Sequence, residues 1–515
     1  MTGRTLLRGG LVADAIGVTT RRADLLIDGP VIAAIDAGLA PGPGCDVIEL
    51  AEGSVVCPGF IDAHVHGEGP LLATGRVDGA LAQGVTTLVV GQDGQSWIGA
   101  SEATAGYLND YFAPVNGRLE PGRTLSVGGF HAALRGRLTQ NVAVLASQGT
   151  IRHNVAGLSP GPLGPAQRRA ARRELEAALG DGAVGLSSGL DYLPSRFGDV
   201  DEIADLARPL AEAGRPYVSH LRGYGPDVGP GLDELVAVGR RAGVAVHASH
   251  LWGPVDTIEQ ALAAADAAGV PVSFDMYPYR KSSTILAMLL LPPELQAGGP
   301  AATVAALEDP GRRASLLARP KLREDYLGQV YLGCLPDDAA DLAGLSVAEA
   351  AAQRGRPAGE WVLDLLASSG LGVGGHLDRP AFGADQLAWL TADARFCAGS
   401  DGIYQGQHPH PRGYGTFAML AAGYLADGPE RGYQRLARHL AANAADAYRL
   451  RGRGRLTPGH AADLCVIGPA GLAATATDQR PTDLATGVAL VIVNGVIAWR
   501  DGQPVTSAHP GQMVN

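Results

Sequence analysis

The hydrophobic pattern changes character twice along the chain. Over the first 57 residues, short apolar runs alternate with turn residues: Leu6-Leu7 through Leu11-Val12, then Leu25-Leu26-Ile27 turning at Gly29 into Val31-Ile32, then Val47-Ile48-Glu49-Leu50. Such runs read as strands and hairpins. They are too few to bury both faces of a sheet. Runs of the same kind return at residues 462–467 and 488–497. The two ends are therefore expected to build one small β-sandwich, from residues 1–57 and 452–515, with the central region inserted between them.

In the centre, residues 58–451, β-branched runs alternate with helical periodicity. Val85-Thr86-Thr87-Leu88-Val89-Val90 ends in Gly91; a weaker run covers 125–130, and 183–189 follows a helical segment at 167–179. A helix over 202–213 has Ile203, Leu206 and Leu210 on one stripe and Gly214 as its stop. Strand 217–220, helix 232–241, strand 244–250, helix 258–268 and strand 270–275 follow, and a last strand at 394–398 runs into Gly399-Ser400-Asp401-Gly402. Counted from Ile61 these are eight strands separated by helices, which predicts an α/β fold of the (β/α)8 barrel type. A doubly wound open sheet is the alternative, disfavoured because no Gly-x-Gly-x-x-Gly turn follows an early strand. Between 292 and 385 the alternation breaks into a helical stretch, including 347–354 and 360–368. It reads as an insertion on the barrel face, a lid or substrate-side subdomain.

Composition narrows the picture. The chain has 515 residues, 46% hydrophobic and 18% charged, as expected of a folded protein with a large and a small domain. A net charge of -11 opposes non-specific binding to nucleic acid or anionic membrane. The five cysteines, Cys45, Cys57, Cys334, Cys397 and Cys465, are dispersed, which fits a reducing compartment rather than a disulfide framework. No apolar stretch of signal-peptide or membrane-spanning length is present, so a cytoplasmic location is expected.

Chemistry concentrates at the carboxyl ends of the predicted strands, where a barrel carries its active site. His64 and His66, in Pro58-Gly59-Phe60-Ile61-Asp62-Ala63-His64-Val65-His66, share one face of an extended segment. His220 ends the fifth strand, His250 the sixth, and Asp401 follows the eighth. One histidine is more often a satisfied structural residue than a ligand. Four histidines and a carboxylate at successive strand ends point to a metal site. Two other patterns carry less. Gly185-Leu186-Ser187-Ser188-Gly189 matches a serine-hydrolase elbow but lacks the helix that should follow at once. His408-Pro409-His410 reads as a rigid rim presenting Arg412.

These residues resemble the amidohydrolase superfamily, and within it the D-aminoacylase (N-acyl-D-amino-acid deacylase) group. The resemblance runs through Gly185–Tyr192, Val218-Ser219-His220-Leu221-Arg222, Ala248-Ser249-His250-Leu251, Tyr277-Pro278-Tyr279, Gly399-Ser400-Asp401-Gly402 and His408-Pro409-His410-Pro411-Arg412. It covers nearly the whole chain and ends in Gly459-His460-Ala461-Ala462-Asp463-Leu464. It implies zinc-dependent hydrolysis of the amide of a small-molecule N-acyl amino acid, of D configuration. One or two zinc ions are implied: His220 and His250 hold one, and His64, His66 and Asp401 form a second position. Asp401 is then general base and general acid.

Where the family commonly has Gly-Asn-Cys-Gly, this chain has Gly91-Gln92-Asp93-Gly94. Asp93 is either a hard oxygen ligand in place of the thiolate or a turn residue capping backbone amides. For the substrate carboxylate, Arg412 offers a bidentate guanidinium. The resemblance adds Tyr192, Tyr277 and Ser283, and Arg222 is either a further contact or an ion pair behind the site. Hydrolysis of a cyclic amide or a dipeptide, and a metal-binding barrel without catalysis, are the competing readings. The sequence does not fix the acyl group or the oligomeric state.

Overall fold

In the computed structural model, which describes residues 3–14, 21–428, 431–505 and 507–515, strands from both ends of the chain share one sheet. Arg4–Val12, Arg21–Asp28, Val31–Asp36, Cys45–Glu49 and Val55–Pro58 join Leu464–Ile467, Val488–Val493, Val496–Arg500 and Gln503–Pro504 in one nine-stranded hydrogen-bonded path that folds back on itself, Val31 bridging Ala461 and the Ile32 N–H donating to the His460 carbonyl. The two ends meet where Val55–Pro58 pairs antiparallel with Leu464–Ile467, Cys57 opposite Cys465. Strand alternation sends the two sets of side chains to different cores. Val56, Leu464, Val466, Leu490 and Ile492 pack with Leu7, Leu25 and Ile27 in the sheet's own core. Val55, Cys57, Cys465, Ile467, Val491 and Val493 join the main core of the central region. Each fully buried Val, Leu or Ile contributes roughly 1.5–3 kcal/mol to holding the two regions together.

The chain passes from this sheet into the barrel at Gly59. A Cβ there would lie 2.3 Å from Thr86 Oγ1, so only glycine lets the first strand run against the second. The barrel strands are β1 Phe60–Asp62, β2 Val85–Val90, β3 Asn141–Val144 with its continuation Ala146–Ser147, β4 Leu186–Gly189, β5 Tyr217–His220, β6 Val246–Ala248, β7 Val272–Met276 and β8 Phe396–Ala398. Neighbours are parallel in that order from β1 to β8. The Ala63 N–H donates to the Ala398 carbonyl at 3.1 Å, which ties the last strand back to the first. Outer helices bury one stripe each. In Val200–Ala213, Asp199 caps the start by accepting from the Glu202 N–H, Ile203, Leu206 and Leu210 are buried, and Gly214 at φ 64° ends the helix.

One strand expectation is wrong. Residues 127–130 open the helix Val127–Leu134, whose cap Ser126 accepts from the Gly129 N–H and whose Val127, Phe130 and Leu134 are buried at helical spacing. The third strand is instead at Asn141–Ser147, an apolar run introduced by polar Thr139-Gln140-Asn141 that resembles a loop in sequence. Asn141 is buried because its amide is used: it donates to Asp463 at 3.0 Å and accepts from Asn494 at 2.7 Å.

The inserted region is not purely helical either. Lys281–Ile285, Val330–Cys334 and Gly374–Asp378 form an antiparallel sheet, Gly374–Asp378 in the middle. The sheet and its helices enclose a separate core including Leu286, Leu290, Leu332, Leu366 and Val373. Met288, Lys321, Tyr326 and Arg379 of this body line one cavity with Asp93, His220 and Asp401.

Candidate metal centre and adjoining cavity

The ends of the barrel strands bring all six expected ligand residues together. His64 and His66 follow β1, Asp93 follows β2, His220 closes β5, His250 lies just after β6, and Asp401 lies just after β8. The short pairing of Gly402–Ile403 with Val65–His66 holds the first and last of these elements in register. Asp93, His250 and Asp401 have φ of 57°, 34° and 48°, three of the seven non-glycine residues in the left-handed region among those described. Side chains pay an energetic penalty there, and such strain concentrates at functional sites. The turn bearing Asp93 sits directly on β4: a Cβ on Gly189 would lie 2.1 Å from the Asp93 carbonyl oxygen.

Asp93 is the hub. Its Oδ1 lies 3.5 Å from His64 Nε2 and 3.7 Å from His250 Nε2, and its Oδ2 lies 3.5 Å from His220 Nδ1 and 3.7 Å from His66 Nε2. Asp401 Oδ1 is 3.4 Å from His66 Nε2 and 3.7 Å from His64 Nε2. Two clusters therefore offer one atom per residue within 4.8 Å: His64, Asp93 and His250, and His64, His66 and Asp401. His220 enters through its contact with Asp93. These separations are too long for hydrogen bonds. They suit a shared ion, because tetrahedral bonds of about 2.0–2.2 Å to zinc place two ligand atoms about 3.3–3.6 Å apart. His64 Nε2, His220 Nδ1 and Asp93 Oδ1 are buried with no hydrogen-bond partner, as metal-binding atoms should be. An Asp93 carboxylate spent on capping backbone amides would not leave Oδ1 bare.

The outer face of the cluster has support that the sequence did not reveal. Asn116 donates to the Gln95 carbonyl at 2.6 Å, which turns its Oδ1 toward His66 Nδ1 at 2.9 Å. His66 Nδ1–H must then be the donor, leaving the Nε2 lone pair for the cluster. Asp275 on β7 accepts from the His250 backbone N–H at 2.9 Å through Oδ1; its Oδ2 is 2.9 Å from His247 Nε2 and 3.4 Å from His64 Nδ1. Asp191 Oδ2 lies 3.6 Å from His220 Nε2. Nothing distinguishes Asp191 or Asp275 in sequence except position at or after a strand, and Asn116, at the end of the helix Ala113–Asn116, has not even that.

Electrostatics match this geometry. Burial alone would raise Asp93, but His220, His250 and His66 hold it well below the ordinary carboxylate value. Asp401, likewise penalised by burial, is held low by Arg412 and the histidines. Burial would lower His66 and His220, yet Asp401 and Asp93 raise His66 to about 10, and Asp93 and Asp191 raise His220 to about 9. The same carboxylates that favour protonated imidazoles would favour a divalent cation in place of the protons.

The cluster opens into a cavity of about 490 Å³ beneath the inserted body, lined by Asp93, Asp401, His220, His250, Tyr192, Tyr277 and Ser283 among others. The Tyr192 hydroxyl is held 2.7 Å from Thr284 Oγ1. Arg412 is not in the lining. It is fully buried, with Nη1 2.7 Å from Asp401 Oδ2, Nη2 donating to the Ser283 carbonyl at 3.2 Å, and the Tyr277 ring 4.6 Å away. Arg222 is also outside the lining: it forks onto Glu234 at 3.0 and 3.2 Å and donates to the Arg196 and Gly198 carbonyls at 2.9 Å. Of the two alternatives for Arg222, the geometry is that of an ion pair behind the site. The arginine that does line the cavity is Arg379, from the insertion. His410 is buried, its Nδ1 accepting from the Arg412 N–H at 3.0 Å. Ser187 is no nucleophile here; its hydroxyl donates to the Gly91 carbonyl and accepts from the Gly94 N–H.

The Amidohydrolase family matches residues 334–499. A D-aminoacylase and an N-acyl-D-glutamate deacylase, both from Alcaligenes xylosoxydans xylosoxydans, are each 30% identical over 99% of this chain, covering 97% and 96% of their own lengths. The crystal structure of N-acyl-D-glutamate deacylase from Bordetella bronchiseptica, bound to zinc and a phosphonate mimic of the tetrahedral intermediate, superposes with a TM-score of 0.82 at 28% identity over the full length of both chains. Similarity of this extent, end to end, places the protein: the chain belongs to the D-aminoacylase family of amidohydrolases.

Proposed function

We propose that the protein is a zinc-dependent deacylase that hydrolyses the amide of a small N-acyl-D-amino acid to a carboxylate and the free amino acid. The observation that carries this reading is the convergence of four imidazoles with Asp93 and Asp401 beside one cavity. His64, His66, Asp93, His220, His250 and Asp401 would hold one or two zinc ions. Bound zinc supplies Lewis-acid polarisation of the scissile carbonyl and a lowered pKa for water. Asp401 supplies the proton transfers. Arg412 on Oδ2 keeps it ionised at neutral pH, so it can take a proton from the attacking water and return it to the leaving nitrogen. Tyr192, Tyr277 and Ser283 face the cavity where the substrate is held. Among the described residues no helix is long and apolar enough to cross a membrane. The five free cysteines support a reducing, cytoplasmic setting.

Zinc content and turnover test the reading. Alanine at both His220 and His250 should abolish both, and full retention of metal and activity would refute the assignment. Asp401→Asn should lower kcat by about 10²–10⁴-fold. Assays of N-acyl-D-amino acids beside hydantoins and β-aspartyl dipeptides separate deacylation from cyclic-amide and dipeptide hydrolysis. No turnover of any of these by zinc-loaded protein would leave a binding barrel without catalysis.

A further inference from the structure

Glu68 ties together the first two elements of the metal cluster. It opens the helix Glu68–Thr74, two residues after His66, and is fully buried. Its Oε1 accepts from the Gly91 N–H at 3.0 Å and from the Ser96 hydroxyl at 3.1 Å. Those two residues bracket the turn that carries Asp93. Oε2 has no hydrogen-bond partner among the described residues, so the protein hydrogen bonds of this carboxyl group all go to the turn.

The turn needs holding. Gly91, Asp93 and Gly94 have φ of 82°, 57° and 63°, and of the three only Asp93 has a side chain to crowd the backbone there. Ser187 fixes the side facing β4, its hydroxyl donating to the Gly91 carbonyl and accepting from the Gly94 N–H. Toward β1, the Gln92 amide donates to the Ala63 carbonyl at 2.8 Å, and Glu68 reaches both ends of the turn. The same stretch also bears on His66. The Gln95 carbonyl, between Gly91 and Ser96, accepts from Asn116, whose Oδ1 faces His66 Nδ1. Glu68, the turn, Asn116 and His66 thus close a ring of contacts along the edge of the cluster where Asp93 Oδ2 lies 3.7 Å from His66 Nε2.

We propose that Glu68 is a positioning residue: its two hydrogen bonds set the Asp93 turn against the end of β1 and so fix the spacing of Asp93 from His66. The bonds require an acceptor oxygen at that point and not a charge. The inference rests on the metal centre and is independent of which amide is cleaved.

Zinc affinity by chelator competition and the visible absorption of the cobalt-substituted protein, whose bands follow ligand geometry, test this without recourse to turnover. Glu68→Ala should weaken zinc binding about 10–100-fold, the range for groups that orient metal ligands, and shift the cobalt bands. Glu68→Gln keeps a carbonyl oxygen for both donors, so its affinity should stay within about threefold of wild type, with the cobalt spectrum unchanged. Glu68→Leu takes the place of the alanine variant should that protein fail to fold. A merely structural role would lower the melting temperature of the metal-free protein and leave zinc affinity and cobalt bands as in the wild type; that result overturns the proposal. So does a Glu68→Gln protein as impaired as the alanine one. A wild type that binds neither metal overturns the metal centre and this role with it, whereas normal wild-type binding beside an unaffected Glu68→Ala protein overturns the role alone.

Discussion

Asp275 tests whether the support behind the metal cluster matters as much as the ligands. It is fully buried and touches three groups at once: the His250 backbone N–H at 2.9 Å, His247 Nε2 at 2.9 Å and His64 Nδ1 at 3.4 Å. Burial would raise its pKa, but His64 and His247 hold it well below the ordinary value, so it is a carboxylate at all working pH. Asp275→Asn preserves size and the acceptor facing His250. It removes the charge, and it turns an amide NH₂ toward His64 and His247. The negative charge that favours a proton on His64 Nδ1 from 3.4 Å away is then gone, and with it the preference for a bare Nε2 facing Asp93 and Asp401. Groups that orient metal-binding histidines are worth about 10–100-fold in metal affinity, or roughly 1.4–2.7 kcal/mol. Competition with a chelator of known affinity, read as zinc retained by mass spectrometry, measures the change directly. A thermal melt without zinc separates this from general damage. Zinc affinity within twofold of wild type would refute the claim that Asp275 sets the His64 tautomer.

Two further predictions concern packing and charge away from the ligands. Gly189→Ala places a methyl group 2.1 Å from the Asp93 carbonyl oxygen, so the turn bearing Asp93 must shift; we expect activity to fall at least tenfold with retained fold, checked by kinetics beside circular dichroism. His439 is buried against the Tyr424 hydroxyl at 2.9 Å, and burial together with Arg435 and Arg438 lowers its pKa to about 4. The unfolded chain, with a histidine near 6.5, binds a proton that the folded chain refuses between those values, so stability is full above pH 6.5 and falls by up to about 3 kcal/mol as pH drops through 4. His439→Gln should flatten that part of the urea-unfolding profile; an unchanged pH slope would show that the imidazole is not buried neutral.

Local pattern was enough for much of this protein. Strand ends carry chemistry in a parallel barrel because side chains there face the open mouth, and His64, His66, His220, His250 and Asp401 announced themselves by type and position. Gly91-Gln92-Asp93-Gly94 was legible as a turn, and its aspartate as an acidic candidate, before any coordinates. The third strand was not legible, because Asn141 pays for its burial with partners at Asp463 and Asn494, more than 300 residues away. The same reason explains the misplaced arginines. Arg222, Arg379 and Arg412 are equal in sequence, each a guanidinium near a plausible motif. Whether each is neutralised behind the site, bound to Asp401 or left facing a cavity depends on which carboxylate folding brings within reach. Periodicity and residue type thus determined the fold class and the candidate metal-binding set, since both follow from spacing along one strand or helix. Only the tertiary structure decided which charges are paired, because pairing is a property of distance in space.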